Sequence, residues 1–318
     1  MMRSRSLPRP RAMTTPRYLQ LDVFTARAGG GNPLGVVIDA QDWSSEDMQR
    51  FAAWTNLVET TFVLPPTTPQ ASYRLRIFTP AKEIPFAGHP TIGSAHSVLE
   101  TGYADARDGV LIQECAAGLL PIRVEGSADQ RRLFVQAPDA RVLREGPHIE
   151  PILSYLLRGI ALGPLPPAFV EGGRRWWVAE FAEETALRRW KPDHASIGTL
   201  ARETDSLGLC AFARRAHGTD GTAGSDYDLV VRAFPASVGI VEDPASGAAN
   251  GLIAAWIALR EPAGALARGY RVSQGREIGR DASITIRIDT DGSHSRVWVG
   301  GQTRTVVSGH TSWPRLLQ

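Results

Sequence analysis

Two stretches about 150 residues apart share one layout, and any fold for this chain has to accommodate both. "RIFTPAKEIPFAGHPTIGSAHSVL" runs from Arg76 to Leu99, and "RAFPASVGIVEDPASGAANGLIAAW" from Arg232 to Trp256. Each gives Arg-x-Phe, a loop, a Pro-x-x-Gly-small-Ala turn and an apolar run with helical character. In that correspondence Arg76 matches Arg232, Pro90 matches Pro244, Gly93 matches Gly247 and Ala95 matches Ala249, with His89 standing where Asp243 stands. Self-similarity at this distance is the mark of a duplicated unit.

Around the two helices the chain is mostly short strand patterns cut by Gly/Pro turns. "YLQLDVF", "LGVVID", "ETTFVLPP", "YRLRIFTP", "GVLIQECAAGLLPIRVEG" and "RLFVQAP" read as strands of the first half. "RRWWVAEF", "SLGLCAFARR", "YDLVVRAF", "ASITIRIDT", "SRVWVGG" and "TRTVVSG" read as strands of the second. "SSEDMQRFAAWT" opens with Ser/Asp capping chemistry and has helical spacing. The helices expected at the repeat are "TIGSAHSVLETG", ended by Gly102, and "ANGLIAAWIAL". The reading is an α+β chain of two similar domains, each with one apolar central helix.

Bulk properties narrow the function. Of 318 residues, 43% are hydrophobic and 21% charged, which fits a globular protein with more than one core. The formal charge of +2 misleads, because Arg3, Arg5, Arg9, Arg11 and Arg17 crowd an N-terminal stretch without acids. Without those five the remainder is near −3, so the body is not a basic nucleic-acid binder. Residues 1–17 are expected to be a disordered basic tail, with Met13 as a second candidate start. No apolar run reaches the ~20 residues of a membrane span, and a cytoplasmic location is the default expectation. Cys115 and Cys210 are far apart and read as small core residues. The seven histidines are scattered, with no HExxH or similar cluster, so no structural or catalytic metal is expected.

The chemistry is concentrated at the helix mouths. The first turn of a helix presents free N–H groups and a positive dipole end, and small residues let an anion approach them. Two such starts facing each other across a cleft would hold a carboxylate from both sides. Gly88–Thr91 and Ser246–Ala248 read this way, and the competing explanation is that small residues merely let strands pack closely on a central helix. A titratable residue just before each proline, His89 and Asp243, favours a site. Glu59 opens the apolar strand "ETTFVLPP", where burial would raise its pKa and fit it to carry a proton. Glu242 reads as a solvated or structural acid with no role in the chemistry.

The stretches "DVFTARAGGGNPLGVVID", "NLVETTFVLP", "GHPTIG", "EDPASG", "QGREIGR" and "VWVGG" resemble, in order, the phenazine-biosynthesis PhzF-like family within the diaminopimelate epimerase fold. The resemblance covers about Leu21 to Gly301. It implies two domains, each a curled, mostly antiparallel, barrel-like sheet around a central helix, with the active site between them. It places a tail over 1–17, an N-terminal domain over 18–138 and a C-terminal domain over 139–301, with a last strand near 302–318 returning to the first. The family's activity is isomerisation of trans-2,3-dihydro-3-hydroxyanthranilate without metal or organic cofactor. By that resemblance Glu59 is the general acid/base, His89 and Asp243 hold and polarise the substrate, and the amides around Gly88–His89 and Gly247–Ala248 take its carboxylate. Ala248 stands where the family usually has Ser, and Gly35 where Ala is common. The alternatives are amino-acid epimerisation, or carboxylate binding without turnover. Neither cysteine falls at a helix mouth, which argues against a two-cysteine racemase. The expected partners are a small-molecule carboxylate substrate and a second copy of the chain through an edge strand, with no nucleic acid or membrane.

Overall fold

The computed structural model describes residues 15–215, 227–291 and 294–313. The tail expected over 1–17 therefore lies outside the described residues except for its last three. Of these, Arg17 already belongs to the first strand, paired with Ile38 on one side and His310 on the other.

The first half comprises β1 (Arg17–Val23), β2 (Asn32–Ile38), β3 (Thr60–Leu64), β4 (Tyr73–Phe78), the two-residue β5 (Glu83–Ile84), β6 (Val110–Cys115), β7 (Gly118–Glu125) and β8 (Arg132–Gln136). The second comprises β9 (Arg141–Glu145), β10 (Ala168–Gly172), β11 (Arg174–Phe181), β12 (Leu209–Arg214), β13 (Leu229–Phe234), β14 (Gly269–Gln274), β15 (Ala282–Asp291) and β16 (His294–Gly301), followed by β17 (Thr303–His310). Pairing repeats between the halves. β1–β2 is antiparallel, β2–β3 parallel, β3–β4 antiparallel, β4–β6 parallel, and β6–β7–β8 antiparallel. β10 to β16 run through the same sequence of senses.

A parallel pair needs a crossover, and every helix but one sits in such a crossover. α1 (Ser45–Thr55) bridges β2 and β3, while α4 (Glu184–Arg189) and α5 (His194–Glu203) bridge β11 and β12. α2 (Gly88–Glu100) bridges β4 and β6, and α6 (Gly247–Arg260) bridges β13 and β14. The exception, α3 (Pro151–Leu156), lies between β9 and β10. Each half has its one apolar central helix, as the sequence reading has it, and the second half adds three helices that reading did not place. α3, α4 and α5 are short and amphipathic, and they cover the outer face of the second half through Leu153, Leu187, Ile197 and Leu200. α1, with the Ser44/Asp47 capping box foreseen in the sequence, covers the outer face of the first through Met48, Phe51 and Ala52.

α2 and α6 are the central helices. Nine residues of the 13-residue α2 are buried, from His89 to Val98. Its small residues allow this. A Cβ at Gly93 would come within 2.4 Å of Leu34 Cδ2 and 2.8 Å of Val23 Cγ2, so β1 and β2 rest directly on the helix backbone. α2 starts three residues earlier than the sequence reading placed it and takes Pro90 into its first turn, where a missing N–H costs no helical bond.

The halves are locked together by exchanged strands. β8 pairs with β16, and β17, which follows the second half, returns to pair with β1. One hydrophobic core runs through both halves. All seventeen described strands join in one continuous, curled, mostly antiparallel sheet around the central helices, the diaminopimelate epimerase-like architecture. Among the described residues no helix is long and apolar enough to cross a membrane.

Candidate active site

The mouths of α2 and α6 meet. A Cβ built on Gly88 would lie 3.5 Å from Gly247 Cα, and one on Gly247 would lie 3.7 Å from the His89 amide nitrogen. These are ordinary contact distances, unlike the clash that makes Gly93 a packing glycine. Gly251, inside α6, is also a packing glycine, its Cβ falling 2.7 Å from Ala137 Cβ. The small residues therefore divide by position: Gly93 and Gly251 inside the helices leave no room for a Cβ, whereas Gly88 and Gly247 at the mouths face each other at contact distance.

At α2 the N-cap residue is Ala87, which supplies no side-chain acceptor to the first-turn amides. At α6 the Ser246 hydroxyl caps the Ala249 amide, and the Gly247 and Ala248 amides are left without an intrahelical acceptor. Ala248, where a side-chain hydroxyl was expected from the resemblance, still offers its N–H. The positive ends of the two helices, one from each half, thus meet at Gly88 and Gly247.

Glu59, His89 and Asp243 converge beside it. Glu59 is the last residue before β3, and its Oε2 lies 3.5 Å from His89 Nε2 in α2. Both side chains are nearly buried, and neither of these two atoms has a hydrogen-bond partner. Burial, reinforced by the negative charge of Asp243, pushes the Glu59 carboxyl up to about 8. Burial pushes His89 down to about 3, against a hydrogen bond to the Pro33 backbone, so the ring is neutral. Asp243 is raised to about 6 by burial, opposed by hydrogen bonds from the Ala245 amide, Ser246 and Asn32. At neutral pH the cluster thus holds a mainly protonated Glu59, a neutral imidazole and an ionised Asp243.

The loop carrying Asp243 is braced by residues the sequence reading did not single out. Gln274, at the end of β14, donates to the Asp243 carbonyl at 2.8 Å. Its Oε1 accepts from the Ser246 amide at 3.2 Å and from Asn250 Nδ2 at 2.8 Å. Gln113 plays the matching part in the first half, donating to Thr91 Oγ1 at 3.1 Å and accepting from the Tyr73 hydroxyl. Thr91 and Asn250 are each the fourth residue of their helix. Asn32, the first residue of β2, donates to Asp243 Oδ1 and to the Ala245 carbonyl, each at 2.9 Å. In the sequence an Asn within "GGGNP" reads as turn chemistry, which hides this bond across the two halves.

These pairs correct the register of the internal repeat. Gly88 corresponds to Gly247 and Gln113 to Gln274, so His89 matches Ala248 rather than Asp243. Pro90 lies inside a helix whereas Pro244 precedes one. The Arg-x-Phe match does hold, for a structural reason. Arg76 clamps Glu83 through two bonds of 2.8 and 2.7 Å, and Arg232 clamps Glu242 through two of 2.9 and 2.8 Å. Each pair ties a strand to the loop leading into a helix mouth, and Glu242 is a buried structural acid rather than a solvated one.

Cys210 is buried in β12 with its thiol on the Trp177 carbonyl, while Cys115 ends β6 half-buried, not in the core as expected from the sequence. Neither is at a helix mouth. Among the described residues no three His, Cys, Asp or Glu side chains are grouped to hold a metal ion. The surface depressions around Arg17 and around α5 contain none of the clustered residues.

The chain is 34% identical over 306 residues to a Schizosaccharomyces pombe protein named antisense-enhancing sequence 1, covering 93% of this chain and 99% of that one. It is 31% identical to the trans-2,3-dihydro-3-hydroxyanthranilate isomerase of Pseudomonas aeruginosa, covering 92% and 98%. A PhzF-family phenazine biosynthesis protein from Bacillus anthracis superposes with a TM-score of 0.79 at 23% identity, covering 94% of this chain and 99% of that one. The family model for phenazine biosynthesis-like proteins matches residues 21–309, and with that match the chain belongs to the PhzC-PhzF family.

Proposed function

We propose that this chain, an isomerase of the phenazine biosynthesis-like family, moves a proton between two carbons of a small amino- or hydroxy-carboxylate without metal or organic cofactor. The observation that carries the reading is one buried carboxyl, Glu59, placed against His89 and near Asp243 where the mouths of α2 and α6 meet. The Gly88, His89, Gly247 and Ala248 amides bind the substrate carboxylate. Its charge is then met by dipoles already oriented, which cost no reorganisation during the reaction. Glu59, ionised, takes a proton from a carbon activated by the neighbouring unsaturation. While the deprotonated substrate is held, the protonated Glu59 exchanges in part with solvent; it then delivers a proton to a second carbon on the same face, and the carboxylate is restored. The raised pKa makes Glu59 a stronger base once ionised. His89 and Asp243 hold and polarise the substrate's polar groups, His89 as a neutral ring and Asp243 as an anion. A reading as a two-cysteine epimerase has no support in the positions of Cys115 and Cys210.

The test is turnover of trans-2,3-dihydro-3-hydroxyanthranilate, the substrate named for the Pseudomonas relative, and of acyclic amino- and hydroxy-carboxylates. Glu59→Gln is expected to lower the rate by about 10²–10⁴-fold while ligand binding survives. Near-normal turnover in that variant would remove Glu59 from the mechanism. Binding without turnover of any compound by the wild type would point to a carboxylate-binding protein instead.

A further inference from the structure

Asn32 is 1% exposed. Both of its amide hydrogens are committed, one to Asp243 Oδ1 and one to the Ala245 carbonyl. Turning the amide over would set its oxygen against those two acceptors, so the orientation is fixed by the bonds themselves. That leaves Oδ1 buried with no partner. Oδ1 belongs to the same planar group as the nitrogen bonded to Asp243, so it lies beside the carboxylate of the site.

Native proteins rarely leave a buried amide oxygen unpaired, and an orphan at a binding site marks a position that a ligand completes. Three buried orphans share this cluster: Glu59 Oε2, His89 Nε2 and Asn32 Oδ1. The first two face each other at 3.5 Å and are chemically matched, a protonated carboxyl opposite a ring nitrogen. Asn32 Oδ1 has no such neighbour. It can only accept, so what it lacks is an O–H or N–H.

We propose that Asn32 is a specificity-determining residue whose Oδ1 accepts a hydrogen bond from an amino or hydroxyl group of the substrate. The site then selects carboxylates bearing a donor near the acid group over isosteres without one. This rests on reading the helix mouths as the carboxylate site. A site built to hydrogen-bond a ligand donor discriminates strongly, because the analogue without it leaves the protein group unpaired.

The experiment is calorimetric titration of the full chain with anthranilate and with 2-methylbenzoate, which replaces the amine by a methyl of similar size. Wild type is expected to bind anthranilate at least about tenfold more tightly. In Asn32→Ala the ratio should fall toward one while 2-methylbenzoate affinity changes less. Because Asp243 also meets the substrate's polar groups, Asp243→Ala and the Asn32→Ala/Asp243→Ala double variant are titrated alongside; a ratio no lower in the double variant than in Asp243→Ala alone would assign the discrimination to Asp243 and overturn the role of Asn32. Asn32→Ser serves in the same comparison if the alanine variant fails to fold by circular dichroism. A wild-type ratio near one, or a ratio unchanged in the folded variant, overturns the role of Asn32. If neither ligand binds wild type, the carboxylate reading itself fails, and this inference with it.

Discussion

Glu59 shows how a single residue can be adjusted by its surroundings. Its ordinary carboxyl value of 4.5 is moved to about 8 by burial first and by Asp243 second. Below about pH 4.5 the group is protonated in both native and unfolded chains and carries no penalty. As pH rises from there through about 8, the unfolded chain releases the proton and the native chain keeps it, so the native state loses stability. Glu59→Gln removes that loss. The melting temperature of the variant relative to wild type is therefore expected to increase steadily between pH 5 and pH 8. A difference that stays constant across that range would mean the carboxyl is not held protonated. His89 acts in the opposite sense. Its native value near 3 lies below the ordinary 6.5, so its contribution is present above about 6.5 and is lost on acidification. Glu59 was legible because an acid at the head of an apolar strand is out of place. Asn32 was not, since nothing in its local sequence reveals a hydrogen bond to Asp243, 211 positions away.

Within the central helices, two kinds of glycine look alike in sequence and differ in space. Gly93 has no room for a Cβ because Leu34 and Val23 already occupy it, whereas Gly88 has room but opens onto the facing helix mouth. Gly93→Ala should destabilise the fold by about 1–3 kcal/mol through overpacking, with little effect on ligand affinity once folded. Gly88→Ala should leave the melting temperature nearly unchanged and weaken anthranilate binding on the order of tenfold by crowding the exposed amides. Thermal melts and titrations of the two variants separate these outcomes, and the reverse pattern would return the helix mouth to simple packing. Apolar character and capping residues made α1, α2 and α6 visible in the sequence. The register of α2 was missed by three residues because Pro90 reads as a boundary, although the first turn of a helix accepts it. α3, α4 and α5 were missed because they are short and draw their stability from the sheet they cover.

Across the whole molecule, duplication supplies the frame and asymmetry supplies the chemistry. The same order of pairing senses, the same crossovers and the same Gln brace recur in both halves. The reacting groups do not recur. Glu59 precedes β3, while the matching residue before β12 is Gly208, where a Cβ would fall 2.0 Å from the Phe234 carbonyl oxygen. His89 is matched by Ala248. On the proposed mechanism the first half therefore contributes the proton carrier and the imidazole, and the second contributes Asp243 and half of the anion site. The duplication itself was legible from Arg-x-Phe and the paired helices. Its true register was not, because loops of unequal length separate the arginine clamp from each helix mouth. Whether Glu59 carries a proton between substrate carbons is read from NMR of substrate and product carbons in D₂O, over repeated turnovers of amino- and hydroxy-carboxylates, with wild type and Glu59→Gln side by side. Deuterium is expected to enter a carbon position with wild type and not with the variant. Entry at the same position and rate in both would contradict that role for Glu59.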